Sequence, residues 1–324
     1  MTSTGPVPHE QASTSPHSEP VMARDAATIM LVRDGSGDGY GTLEVCMLRR
    51  HTNSDFVGGA YVFPGGKVDD ADRGAPAEQV CVGRSDAEAS ALLEIDSGGL
   101  AFWVAALREC FEEAGVLLAY EQASGARAMV DVSHEERRTQ LASIRHRLNG
   151  GEVGFLEACT AEHLALAVDR VHYFSHWITP EPAPKRFDTR FFVTALPPGQ
   201  VPLHDDYETV DTVWVKPAEA LERARAGEFD LIFPTMKNLE AIGRFATSAE
   251  LLGAAAAIEH VPAVLPRVVS DDRGFRILLP GDAGYEDALA GRPAASDPSR
   301  AGDTSEMNAL VRRIGIDGRF RRDR

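Results

Sequence analysis

Ala101–Leu118 reads AFWVAALRECFEEAGVLL, and the fold turns on how this stretch is read. At roughly 100° per residue, Trp103, Leu107, Cys110, Phe111 and Ala114 share one face of a helix. Glu109, Glu112 and Glu113 fall within about a third of the circumference on the opposite side. The spacing predicts a helix from about Leu100 to Ala114, with Gly115 placed to stop it. Carboxylates at i, i+3 and i+4 repel one another, and no neighbouring charge is expected to offset them. A solvated acidic face is one reading. Two features favour another: the flanks are apolar, and a Pro64-Gly65-Gly66 turn upstream can bring backbone carbonyls close to a bound ion. Hard divalent cations such as Mg²⁺ or Mn²⁺ require oxygen ligands of this kind.

Before this helix, ATIMLV (from Ala26) and LEVCMLRR (from Leu43) have strand character and flank DGSGDGYG at Asp34–Gly41. Alternate glycines in that turn suggest a dinucleotide loop, but such a loop opens a helix, and here a strand pattern follows. The segment is read as a hairpin. AYVF (Ala60–Phe63) is a third extended stretch, and 73–99 is acidic with little periodicity. Residues 134–170 read as two or more helices broken at Gly150-Gly151. HYFSHWIT, RFDTRFFVTAL and TVDTVWV read as strands, followed by helices from Pro217 and over Phe233–Phe245 and a weak strand pair, RVVSDD with FRILLP. No internal repeats are apparent.

The chain has 324 residues, 44% of them hydrophobic, which is globular composition with room for a large core. Its net charge of −16 argues against nucleic acid or an anionic membrane as partner. Cys46, Cys81, Cys110 and Cys159 are scattered with no C-x-x-C pair, as expected of thiols in a reducing compartment. There is no apolar run of about 20 residues and no secretory-signal pattern, so a cytoplasmic location is expected.

Arg108-Glu109-Cys110-Phe111-Glu112-Glu113-Ala114-Gly115-Val116 resembles the second half of the Nudix box, R-E-U-x-E-E-x-G-U, at every specified position. Phe63-Pro64-Gly65-Gly66-Lys67-Val68-Asp69 resembles its opening, and Asp72 stands where the mid-box Glu is usual. Thirty-five residues separate Asp72 from Arg108, so the box is split by an insertion of about 28 residues. Such a split resembles the branch that includes a peroxisomal coenzyme A diphosphatase. Phe187–Phe192, Trp214 with Pro217–Leu221, and Phe233-Pro234-Thr235 are similar to that branch too.

The resemblance implies an α/β fold, a Nudix-type α/β/α sandwich with a mixed sheet and helical insertions. It covers a hydrolase domain over 23–245 with insertions at about 73–99 and 120–170, and an extension over 246–290 is expected to pack on that domain. Outside it, composition alone reads 1–22, rich in Ser, Thr, Pro and His, as a disordered tail and 291–324 as a polar, partly basic tail. The implied activity is hydrolysis of a nucleoside diphosphate linked to another moiety, with coenzyme A or acyl-CoA favoured. ADP-ribose, dinucleotides, nucleotide sugars and a non-catalytic ligand sensor stand as alternatives. By position, Glu109, Glu112 and Glu113 would be catalytic and would ligate Mg²⁺ or Mn²⁺ together with the Gly65 carbonyl, while Arg108 would pair with a box carboxylate.

Among Asp205, Asp206 and Glu208, Glu208 is chosen as the later-loop ligand or base. Arg50, Arg186 and Arg190 are the candidates for substrate phosphates. Inward packing of the alternating aromatics in FDTRFF is the competing account of the last two. His172 and His176 have the i, i+4 spacing of a helical metal pair, but their segment reads as a strand. The expected partner is a small nucleotide conjugate, with a homodimer left open.

Overall fold

The computed structural model describes residues 21–35, 42–53, 57–122, 127–181, 183–271 and 274–291. The longest strand, β1 (Arg24–Asp34), is central in the main sheet. It pairs antiparallel with β2 (Leu43–Arg50), which makes the expected hairpin. The tip of that hairpin, 36–41, lies outside the described residues, as do residues 1–20 and 292–324 of the expected tails. Short strands β3 (Tyr61–Val62) and β4 (Gly65–Lys67) pair with β2 and β1.

The catalytic-helix candidate follows two unexpected helices, α1 (Ala75–Val80) and α2 (Asp86–Leu93). The low periodicity of 73–99 therefore hid helical structure. Each helix is short and buries only two or three side chains, too few for a sequence period to register. Ser85 and Glu88 form a capping box that starts α2. This insertion has a local purpose. Helix α3 (Leu100–Ala114) begins at Gly99 without a side-chain cap of its own. Asp86 supplies one, accepting from the N–H groups of Gly98 at 2.9 Å and Leu100 at 3.0 Å. At the other end Gly115 takes φ 66°, the left-handed stop that its position predicted.

A small sheet follows, in the order β6-β5-β7, from β5 (Ala119–Glu121), β6 (Ala128–Met129) and β7 (Leu164–Leu166). Between its strands lie α4 (Glu135–Asn149) and α5 (Phe155–Ala161). The helical reading through residue 170 ends early. His163 adopts φ 51°, and Leu164-Ala165-Leu166 pairs with β5 instead. A three-residue apolar run carries no period that tells strand from helix.

The main sheet resumes with β8 (His172–Ile178), β9 (Phe187–Ala195) and β10 (Thr209–Val215), giving the order β10-β2-β1-β9-β8. The β1–β9 pair is parallel, while β2–β10 and β8–β9 are antiparallel, so the sheet is mixed. Helices α6 (Pro217–Arg225), α7 (Phe233–Ile242) and α8 (Ser248–Ala256) come next. Helix α8 was not foreseen, although Thr247 caps it by accepting from Glu250 N–H at 3.2 Å. Strand β11 (Ala263–Val264) extends the sheet beside β8, and β12 (Arg267–Asp271) pairs with β13 (Gly274–Leu278) as the expected hairpin. The last described element is α9 (Tyr285–Leu289).

Strand parity divides the core into two layers. Ala27, Ile29 and Leu31 of β1 and Phe192 of β9 face α3, where they meet Phe102, Trp103 and Leu107. Met30 and Val32, with Phe191 and Val193, face Leu239 and Ile242 of α7 and Leu251 of α8. The result is an α/β/α sandwich. Each large apolar side chain fully buried contributes about 1.5–3 kcal/mol. Trp103 also places its indole N–H on Val171 O at 2.9 Å, so this fully buried aromatic leaves no unmet donor. Among the described residues no helix is long and apolar enough to cross a membrane.

Candidate active site

Strand β4 crosses the end of α3 and brings the glycine turn against the glutamates. Gly65 N–H donates to Glu113 Oε2 at 2.9 Å. A Cβ on Gly65 would lie 2.5 Å from Thr28 Oγ1, and one on Gly66 would lie 2.2 Å from Glu109 Oε1. Position 65 needs glycine for close approach, since the backbone of Ala27 and Thr28 also lies within 2.7 Å of that Cβ, whereas at Gly66 a side chain would have to displace the Glu109 carboxylate.

Arg108 holds the arrangement together. Its five N–H donors meet five acceptors. Nε and Nη2 bind the two oxygens of Asp72 at 2.9 and 3.0 Å, and Nη2 also binds Lys67 O at 2.9 Å. Nη1 binds Glu109 at 2.9 Å and Glu112 at 3.0 Å. The two halves of the split box thus meet across the insertion, with Asp72 only 1% exposed. This corrects the expectation that no neighbouring charge offsets the glutamates: Arg108 sits among them. The expectation of an open carboxylate face also changes, because Glu113 is 3% exposed.

Burial then sets the titration of the cluster. It pushes Glu109 up to about 7, with Arg108 opposing and Glu112 adding to the rise. Glu113 lies well above the ordinary carboxylate range, from burial first and the neighbouring Glu109 second. Glu112 is raised as well, by burial, against the pull of Arg108. A carboxylate with a raised pKa stabilises the fold only while protonated. In chelator, the contribution of this cluster to stability should be fully present below about pH 4.5, the ordinary Glu value, and should be lost as pH rises through about 7. Millimolar Mg²⁺ should reverse that loss. Urea midpoints at several pH values test it, and a chelated midpoint that climbs from pH 5 to 7 would contradict it.

The C-terminal end of α3 is held from the insertion. Arg145 of α4 donates to Glu112 O at 2.9 Å and Glu113 O at 2.8 Å, and Asn149 reaches Glu112 O at 3.3 Å. These bonds satisfy carbonyls that the end of a helix leaves unpaired. Nothing in the sequence marked Arg145, since the contact exists only once α4 packs on α3.

A cavity of about 520 Å³ opens beside the cluster. Glu109, Glu112, Gly65, Arg50 and Glu208 line it, with Lys67 and Asp69. Glu208 is the loop acid that arrives. Asp205 is occupied in holding the N–H groups of Glu208 at 3.1 Å and Thr209 at 2.9 Å, and Asp206 pairs with His204. Arg186 and Arg190 do not line the cavity. Arg186 donates to Thr179 O and Val21 O. Strand parity turns Phe187, Thr189 and Phe191 toward the cavity and sends Arg190 to the other side. There Arg190 meets Asp188 at 2.9 Å and lies 4.4 Å over the Phe102 ring. The packing account of FDTRFF is the one the structure adopts.

His172 and His176 lie on a strand, and His176 bonds Asp188. The four cysteines are free thiols, and burial pushes Cys46, Cys81 and Cys159 up to about 12, so none of these three is poised as a nucleophile.

The donor set at the cavity is all oxygen and strongly anionic, which suits a hard divalent cation. The close approach of Gly66 to Glu109 keeps a backbone edge beside it. Among the described residues no three acidic, imidazole or thiol groups are gathered closely enough to close on an ion as they stand. Arg108 draws Glu109 and Glu112 onto its own N–H groups, and these are the side chains that a cation would compete for.

The family model described as the NUDT19 Nudix domain matches residues 84–242, which include α3 and the three long strands after it. The human protein named acyl-coenzyme A diphosphatase NUDT19 is 32% identical over 274 residues, 74% of this chain and 71% of the relative. The chain belongs to the NUDT19 family of Nudix proteins. A chicken protein of the same name is 28% identical over 302 residues, 81% of this chain and 79% of that Nudix relative. Among solved structures, a Nudix hydrolase from Alicyclobacillus acidocaldarius is 25% identical, with a TM-score of 0.55 over 72% of this chain and 96% of its own. The Nudix fold is thus shared over that part of the chain. The family-model match starts beyond the Nudix glycine turn at 65–66, yet Arg108 and Asp72 join that turn to the matched helix.

Proposed function

We propose that this Nudix enzyme hydrolyses the diphosphate linkage of coenzyme A or an acyl-CoA, with Mg²⁺ or Mn²⁺. The arrangement that carries this reading is the meeting of Glu109, Glu112 and Glu208 with Arg50 and Lys67 in one cavity beside the Gly65–Gly66 edge. The names of the human and chicken relatives support the substrate.

Glu109, Glu112, Glu113, Glu208 and the Gly65 carbonyl are the groups that would hold the cation. When bound, it would neutralise the diphosphate oxygens and make the attacking water more acidic. Water adds across the P–O–P linkage: its oxygen joins one phosphorus, and the bridging oxygen leaves with the other. The products are a phosphopantetheine and an adenosine bisphosphate. The proton released passes to the neighbouring carboxylates. Arg50 and Lys67 answer the charge of the phosphates, and Arg108 keeps the loop and helix in register instead of touching substrate.

A substrate panel tests the reading, with products followed by mass in Mg²⁺, in Mn²⁺ and in chelator. The expected result is cleavage of coenzyme A and acyl-CoA that chelator abolishes. Preference for ADP-ribose over both would overturn the substrate. Turnover that persists in chelator would overturn the metal.

A further inference from the structure

The cavity has two chemically different ends. Its lining cations, Arg50, Lys67 and Arg108, all belong to the carboxylate end: Arg50 acts on Glu113, and Arg108 binds Lys67 O. The remaining wall is mostly apolar, with the hydroxyls of Thr28, Thr179, Thr189 and Thr235 its polar exceptions. Trp177 of β8 and Phe191 of β9 form its floor, and Phe233 and Pro234 of α7 form one side. Trp177 and Phe233 meet edge to face at 5.9 Å, which fixes the corner between sheet and helix.

Pro266 and Ile277 also line this wall: Ile277 belongs to β13, where it pairs with Val268 of β12, and Pro266 immediately precedes β12. The hairpin lies beyond residue 242, the end of the family-model match. It is anchored at two points. Arg267 pairs with Glu181 of the β8–β9 loop at 3.1 Å, and Tyr285 of α9 donates to Leu265 O at 2.9 Å. A segment tied down on both sides acts as a wall.

We propose that this C-terminal hairpin, through Pro266 and Ile277, closes an apolar subsite for the aliphatic arm of the substrate and sets the acyl-chain length accepted. The inference rests on the coenzyme A reading. Coenzyme A has two arms beyond its diphosphate. The adenosine arm bears a further phosphate and a base edge rich in hydrogen-bonding groups, and burying either against prolines and an isoleucine leaves polar groups unmet. The acyl-pantetheine arm ends in hydrocarbon, which this wall suits. Each methylene moved from water onto such a surface is worth about a fourfold change in affinity. A wall at fixed distance turns that gain into a length limit.

The test measures kcat/KM for free coenzyme A and for acetyl-, octanoyl- and palmitoyl-CoA, with ADP-ribose alongside, in wild type, Ile277→Trp, Ile277→Ala and Pro266→Ala. In Ile277→Trp the ratio of long-chain acyl-CoA to free coenzyme A should fall at least about tenfold, the worth of roughly two methylenes. In Ile277→Ala, and to a smaller extent Pro266→Ala, the preferred chain should lengthen, a gain that misfolding cannot mimic. A length profile that is the same in all four proteins would overturn the proposal. So would an equal loss on free coenzyme A and every acyl form in Ile277→Trp, which would put the adenosine arm against this wall. If wild type cleaves ADP-ribose but neither coenzyme A nor its acyl forms, the coenzyme A reading falls and takes this inference with it. Cleavage of coenzyme A with a profile blind to Ile277 defeats the inference alone.

Discussion

Glu112→Gln and Glu113→Gln should each lower kcat by about 10²- to 10³-fold, the usual loss when one preorganised electrostatic group is removed. Glutamine keeps the shape and the hydrogen-bond acceptor but cannot supply a negative charge to a cation. For Glu113 the acceptor matters, because Gly65 N–H lies 2.9 Å from its carboxylate, and the amide oxygen of glutamine can take that bond. The fold should therefore survive. Burial already disfavours the charge of Glu113, so its neutral replacement should leave the melting temperature level or higher. Calorimetric titration with Mn²⁺ should show weaker binding in both variants. Wild-type kcat in both would sink the assignment of these residues to the cation site.

Arg108→Met should cost about 3–5 kcal/mol of stability, the usual penalty for breaking a buried ion pair from one side. The figure applies because Asp72 is 1% exposed and loses both of its bidentate partners. A chain of this size should melt on the order of 10 °C lower. Arg108→Lys should recover little, since a single ammonium cannot reproduce five directed donors. Asp72→Asn in the Arg108→Met background should restore part of the loss by removing the stranded charge. Urea denaturation of the two single variants and the double variant measures this. A loss under about 1 kcal/mol in Arg108→Met would place the pair among exposed bridges of little worth.

Much of the site was legible because its residues are close in sequence. Glu109, Glu112 and Glu113 declare a common helix face through spacing alone, and Gly115 declares where the helix stops. The glycines at 65 and 66 were read as able to bring backbone carbonyls close to a bound ion; the structure places the Gly65 N–H on Glu113 and the Gly66 backbone against Glu109. Arg186 and Arg190 were harder. Along a strand, one residue of register decides which side of the sheet a side chain faces, and FDTRFF offers arginine and phenylalanine to opposite sides. Parity gave the cavity to Phe187 and Phe191 and gave Arg190 to Asp188. The insertion at 73–99 was opaque for another reason. Its two helices bury two or three side chains each and leave no period to read, yet Asp86 caps the start of α3. In the second insertion α4 and α5 were legible as helices, but not that Arg145 would hold the end of α3.

By itself, the sequence determined the family, the hairpin and the three glutamates on α3, because each depends on short spacings or on a motif of fixed positions, and the mixed sheet followed only from the resemblance that the motif carries. Only the tertiary structure decided what surrounds those glutamates. Arg108 reaches Asp72 across 35 intervening residues. Arg145 arrives from an insertion, and Ile277 arrives from a hairpin beyond the matched domain. Local spacing fixes which residues share a face. Which face meets another depends on packing between distant segments, and that is settled only when the core closes.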